Sequence, residues 1–168
     1  MQVIGITGGV GSGKSTVSNL LEEEYGAYII NTDKIAHKLM AKGCISYNLI
    51  VEYFGTSILD KDGNIDRGKV GVIVYQDKNE LLKLNSFSHP YVMEEVKNII
   101  KEKRSESFAY AGIETALPKE AKLKEICDRI WFVHTPIDLR IKRLKESRNY
   151  SDEKIKDIMN KQLSDEEY

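Results

Sequence analysis

Four short runs of apolar, β-prone residues stand apart along the chain: Val3 to Thr7, Ala27 to Ile30, Phe108 to Ile113 and Arg129 to His134. Each is apolar continuously rather than at alternate positions, the pattern of strands covered on both faces. Between the runs, apolar positions recur at helical spacing, as in Ser15 to Glu24, where Val17, Leu20 and Leu21 fall on one face. Strands alternating with helices predict an α/β fold, a parallel sheet with helices on both sides. Trp131, inside the fourth run, is expected in the core.

Punctuation sharpens this reading. Thr135-Pro136-Ile137-Asp138 puts an N-cap threonine, a proline at the first helical position and an acid in the first turn directly after a strand. Ser151-Asp152-Glu153 opens a last helix running to about Gln162, and His89-Pro90 predicts the start of a long amphipathic helix through Val92, Val96 and Ile100. Asp60 to Asn64 lacks the ligand spacing of a calcium loop and reads as a β-turn. The stretch from Lys34 to Ser107 is long for one crossover and holds helices but no strand. It is an insertion that builds a second substrate's site or merely pads the fold. Residues 1–168 are read as one domain, with 34–107 as the insertion.

Composition narrows the function classes. A formal net charge of -1 gives no overall attraction to nucleic acid or to an anionic membrane, so any phosphate-binding surface must be local. No run approaches the roughly 18 to 20 apolar residues that span a bilayer. The opening Met1-Gln2-Val3-Ile4-Gly5 has no basic stretch before an apolar one, so a cytoplasmic location is expected. Cys44 and Cys127 have no metal-ligand spacing and read as small core residues.

One motif carries chemistry. Gly8-Gly9-Val10-Gly11-Ser12-Gly13-Lys14-Ser15 satisfies G-x-x-x-x-G-K-[ST], and it lies between a strand and an amphipathic helix. Glycines let the backbone turn tightly so that N–H groups converge on an anion, and the helix start adds its positive end. Lys14 is expected to reach the β- and γ-phosphates of ATP, and the Ser15 hydroxyl to ligate Mg2+. A guanine-reading Asn-Lys-x-Asp segment is absent, and a magnesium-binding aspartate at the end of a later strand is not found; the third run leads only to Glu114. Asp33 instead follows the second run, in Ile29-Ile30-Asn31-Thr32-Asp33. In a doubly wound sheet the carboxyl ends of neighbouring strands face one crevice, so Asp33 suits the base that takes a proton from an acceptor hydroxyl, or a cap for the helix at Lys34. The pattern favours a small-molecule kinase over a switch or motor. A nucleotide-binding regulatory module, or a kinase for a nucleoside, nucleotide or sugar, fits the same loop.

The run from Val3 to Thr16, then Ile29 to Ala36, Phe54-Gly55, Gly63 to Arg67, His89-Pro90, Pro136, Arg143-Leu144 and Gln162, resembles the dephospho-CoA kinase family over nearly the whole chain. The resemblance implies a three-layer P-loop NTPase fold with a helical substrate-binding insertion and a lid at 138–163. It implies transfer of the γ-phosphate of ATP to the ribose 3′-hydroxyl of dephospho-CoA, the last step of coenzyme A synthesis. Gly8, Gly11, Ser12, Gly13, Lys14, Ser15 and Thr16 would hold the nucleotide, with Mg2+ on Ser15. Asp33, Arg67 and His89 would face the acceptor, though His-Pro is also a common helix opening. Arg143, and Arg148 beside it, would close over the phosphates, while most other cations of 138–161 form a solvated face. The family's first acid after the second strand is Asn31 here, its third-strand aspartate is Glu114, and its lid arginine falls on Ser147. The chain also ends at Tyr168, before the strand and adenine loop of relatives, so adenine affinity and lid closure are where this chain should differ.

Overall fold

A computed structural model describes residues 1–119 and 121–168. In chain order the elements are β1 (Gln2–Thr7), α1 (Lys14–Tyr25), β2 (Tyr28–Asn31), α2 (Thr32–Leu39), α3 (Ile45–Phe54), a 3-10 turn (Thr56–Ile58), α4 (Arg67–Gln76), α5 (Lys78–Ser105), β3 (Tyr110–Glu114), α6 (Leu123–Ile126), β4 (Arg129–Phe132), α7 (Ile137–Arg148) and α8 (Asp152–Asn160). Two compact units result: Met1–Asn31 with Ile99–Tyr168, and Thr32–Asn98.

The first unit is a parallel four-stranded sheet in the order β2-β3-β1-β4. Its central strands carry the core: Val3, Ile4 and Ile6 of β1 and Ala111 and Ile113 of β3 are buried, with Leu21 of α1 and Ala27 packed nearby. Continuous apolarity in β1 and β3 follows from cover on both faces. Helix α1 ends at Gly26, whose left-handed backbone lets its N–H reach Glu22 while the Ala27 N–H reaches back to Leu21. These two bonds turn the chain straight into β2.

Three expectations differ from the structure. Trp131 is 40% exposed rather than core, because β4 pairs with β1 alone and forms the edge of the described sheet. Leu20 is 51% exposed, the helix burying Ser18 and Leu21 instead. The third strand also sits two residues later than its apolar run, from Tyr110 to Glu114. Phe108 meets the Tyr28 ring edge-on at 5.6 Å instead of entering the ladder.

The second unit is helical, with a core of Ile50, Ile58 and Val70 surrounded by Phe54, Ile73, Leu84 and Phe87. Asp60 to Asn64 is a turn: the Asp60 carboxylate accepts the N–H groups of Asp62 and Asn64, which holds its pKa below the usual value, and Leu59 bridges Ile65. Asp66 caps α4 by accepting the N–H groups of Gly68 and Lys69. His89-Pro90 does not open a helix; Pro90 lies inside the 28-residue α5. A proline there removes one backbone bond, at a cost of about 3 kcal/mol. Buried side chains on both sides of it, Ser88 before and Val92, Met93, Val96 and Ile100 after, keep the helix continuous. Among the described residues no helix is long and apolar enough to cross a membrane.

Candidate active site

The motif folds into a loop between β1 and α1. Gly8 (φ 148°), Gly11 (φ 76°) and Gly13 (φ 97°) take backbone angles that side-chain-bearing residues rarely adopt. A β-carbon on Gly8 would lie 2.5 Å from the Val133 carbonyl and 2.9 Å from the Ser12 hydroxyl. Gly13 stands at the N-cap of α1 with no side chain to satisfy the helix's first N–H groups, which leaves them to an anion.

What shapes the loop is a set of donors on its carbonyls. The Lys14 ammonium donates to the carbonyls of Gly8 (2.9 Å) and Gly9 (3.1 Å). The Arg140 Nε–H donates to Val10 (2.9 Å), the Arg143 Nη1–H to Gly11 (3.4 Å), and the Thr135 hydroxyl to Ser12 (2.8 Å). Every carbonyl from Gly8 to Ser12 therefore accepts a side-chain bond. In a trans peptide the next N–H points opposite its carbonyl, so carbonyls tied to α7 and its approach aim the following amides the other way. The Val10 and Ser12 amides bond within the protein, to Gln162 and to the Gly9 carbonyl; the rest of the loop, beside Lys14 and a helix start, is a candidate site for the phosphates of a nucleotide.

An acid faces the same place. Glu114 ends β3, paired with Ile6 of β1, and is 8% exposed. Its carboxylate accepts the hydroxyls of Ser15 (2.7 Å) and Ser18 (3.0 Å). Sequence reasoning passed over Glu114 as a poor substitute for a strand-end aspartate. Its signal was an acid closing a strand adjacent to the one that feeds the loop. Arg140 was missed too; nothing in the sequence separates it from the other cations of α7.

The other candidates are placed as follows. Thr16 lies exposed in the first turn of α1, and Ser12 is buried with a hydroxyl that meets no partner among the described residues. Arg143 is exposed, with Nη1 3.6 Å from where a β-carbon on Gly13 would sit. Arg148 closes α7 with its guanidinium 5.9 Å from the centre of the Tyr150 ring. Asp33 lies in the first turn of α2 and Arg67 begins α4, both exposed, while His89 is half-buried in α5; all three belong to the second unit. Thr135 does not cap α7: Pro136 takes that position, and the threonine hydroxyl is spent on Ser12. Ser151 caps α8 as expected, accepting the Lys154 N–H. Cys127 lies half-buried beside Gly5 and Leu123, and burial, with Asp128 next to it, pushes its thiol up to about 12. No group of three or more His, Cys, Asp or Glu side chains among the described residues could hold a metal by itself.

A parallel sheet whose central strand runs into such a loop, with a lysine and a hydroxyl–carboxylate pair at the helix start, defines the P-loop kinase class. Comparison with known proteins narrows the class. Residues 2–168 match the family described as dephospho-CoA kinase. Over 151 residues the chain is 40% identical to the dephospho-CoA kinase of Carboxydothermus hydrogenoformans, covering 90% of this chain and 73% of that one. A crystal structure of a Thermus thermophilus protein superposes with a TM-score of 0.80 at 25% identity, over 99% of this chain and 82% of the other. The dephospho-CoA kinase of Campylobacter jejuni superposes with a TM-score of 0.68 at 26% identity, over 99% and 83%. The chain belongs to the dephospho-CoA kinase family.

Proposed function

We propose that the chain transfers the γ-phosphoryl group of ATP to the ribose 3′-hydroxyl of dephospho-CoA, giving coenzyme A and ADP in the cytoplasm. The observation that carries this reading is the glycine-bent loop whose five carbonyls all accept side-chain bonds, two of them from Lys14, at the N-terminal end of α1. Gly8, Gly11, Ser12, Gly13 and Thr16 shape and line that cradle. Lys14 holds the β- and γ-phosphates and follows the negative charge as it moves to the leaving oxygen. Asp33 takes the proton of the acceptor hydroxyl as its oxygen bonds to the γ-phosphorus and the bond to the bridging oxygen of ADP breaks. Arg67 and His89 orient the acceptor, and Arg143 and Arg148 draw toward the phosphates once the nucleotide is in place.

The hard oxygen donors of Ser15 and Glu114 suit Mg2+: Ser15 would ligate it directly and Glu114 hold one of its waters. Such an ion neutralises charge on the transferring group. Glu114→Gln keeps the shape and one of the two acceptor oxygens, so it removes the charge together with the bond to one serine hydroxyl. It should lower kcat by about 10- to 100-fold and raise the Mg2+ concentration needed for half-maximal rate. An unchanged Mg2+ dependence would remove Glu114 from the metal's surroundings.

Acceptor identity is tested by coupled ADP release with dephospho-CoA beside adenosine, uridine, shikimate and gluconate. The reading expects dephospho-CoA to be preferred by at least about 100-fold, the discrimination a site gains by pairing its polar groups with one acceptor. Faster turnover of any other acceptor would replace this substrate with that one.

A further inference from the structure

The phosphate loop is gripped from outside by parts of the chain that lie far from it in sequence. Val10, between Gly9 and Gly11, has both of its backbone groups held by side chains. Its N–H donates to Gln162 Oε1 (2.7 Å), and its carbonyl accepts from Arg140 Nε (2.9 Å). Arg140 is itself 8% exposed, and Asp165 lies 3.5 Å from its Nη1. Asp165 also pairs with His134 at 3.1 Å. The segment after α8 is fastened at its end, where the Tyr168 ring stacks on Phe132 at 5.4 Å and its hydroxyl donates to the Ala116 carbonyl.

The guanidinium does more than make one bond. It lies across Gly9 so closely that a β-carbon there would fall within 2.8 Å of three atoms, Nη2, Cζ and Nη1, all from Arg140. Gly9 is not among the glycines with positive φ, so its backbone admits alanine; what a methyl there meets first is Arg140. A fork-shaped, nearly buried cation packed on a bare peptide and bonded to the next carbonyl fixes both the position and the tilt of that peptide. Tilting the Val10 carbonyl toward α7 turns the Gly11 N–H away from α7, into the concave side of the loop.

We infer that Arg140 and Gln162 are positioning residues for nucleotide binding, setting the tilt of the Val10 peptide so that the Gly11 amide faces the phosphates, and that Gly9 is required because Arg140 occupies the space above it. They act through the loop and not on the reacting atoms. This rests on the reading of the loop as the ATP site, and it adds two residues and a reason for a glycine that the motif G-x-x-x-x-G-K-[ST] does not demand.

The test is a double-substitution cycle read by calorimetric ATP affinity without acceptor, beside KM, kcat and the melting temperature. Arg140→Ala should weaken ATP binding by about 10-fold, the scale of a charge-assisted bond, with kcat at saturating ATP within about 3-fold of the parent. Gly9→Ala should weaken it at least as much, because the new methyl drives the guanidinium off. Together the two should not multiply: with the side chain shortened, alanine fits at position 9, and the pair should match Arg140→Ala alone within about 2-fold. Multiplicative losses would overturn the inference, and so would a fall in melting temperature with ATP affinity unchanged. Should Arg140→Ala fail to fold, the Gln162 pair carries the same test. Gln162→Leu, which removes the acceptor, should raise KM for ATP, and Gln162→Glu, which keeps one, should restore it; equal values for the two would also overturn the inference. A parent protein that binds no ATP would overturn both this and the reading of the loop. A parent that binds, with variants that merely add, would overturn this inference alone.

Discussion

Lys14→Ala should abolish measurable phosphoryl transfer, lowering kcat/KM by about 1000-fold or more, while the protein stays folded. The size follows from what is removed. A lysine on the β- and γ-phosphates makes charge-assisted contacts that strengthen as charge moves to the leaving oxygen, and about 4 kcal/mol of such stabilisation corresponds to a factor of 1000. Retention of the fold follows from where Lys14 sits. It is the first residue of α1, where a cation opposes the helix dipole by about 0.3 to 1 kcal/mol. Its removal forfeits two bonds to the Gly8 and Gly9 carbonyls, a loss that the relieved repulsion offsets in part, and it leaves the buried core of the sheet untouched. Turnover and melting temperature should therefore separate: rate lost, transition temperature moved by only a few degrees. A variant with parental rate would reject the loop as the reaction site.

Asp33→Asn should lower kcat by about 100- to 10,000-fold and leave the dissociation constant for ATP nearly unchanged. Asparagine has the shape of aspartate and cannot take the acceptor's proton. The loop residues proposed to hold ATP all lie outside the unit that contains Asp33, so affinity and rate are expected to respond independently. Stability should fall by less than about 1 kcal/mol, since the loss is one favourable charge in the first turn of α2. Rapid-quench turnover with calorimetric ATP binding separates the two quantities. Equal rates for variant and parent would take Asp33 out of the mechanism, and a large loss of ATP affinity would make it a nucleotide contact instead.

How far the sequence led is best seen residue by residue. The loop was legible because its constraints are local: glycines at positive φ and a lysine at the helix start lie within eight consecutive residues. Strands β1 and β3 were legible because burial on both faces writes an unbroken apolar run. Ser151 was legible because a cap bonds three residues ahead. Thr135 carries the same local signal as Ser151, yet its hydroxyl reaches Ser12, 123 positions away, and local punctuation cannot tell the two uses apart. Trp131 misled because an apolar strand at a sheet edge has the composition of one at the centre. Pro90 misled because helix rules price the lost bond and do not see the packing on either side of it. Arg140 was invisible for the same reason as Thr135: among many cations on α7 and α8, only contact with Gly9 and Val10 sets it apart from a solvated face.

Transfer of label from γ-phosphate-labelled ATP, with the product separated and its phosphate located on the ribose, tests the central claim most directly. The account predicts one labelled phosphate per product molecule, at the 3′-oxygen of dephospho-CoA, with release of unlabelled ADP and none of this in Lys14→Ala. Labelled inorganic phosphate alone, or label that stays on ATP at every concentration of dephospho-CoA while the protein binds ATP, would contradict it.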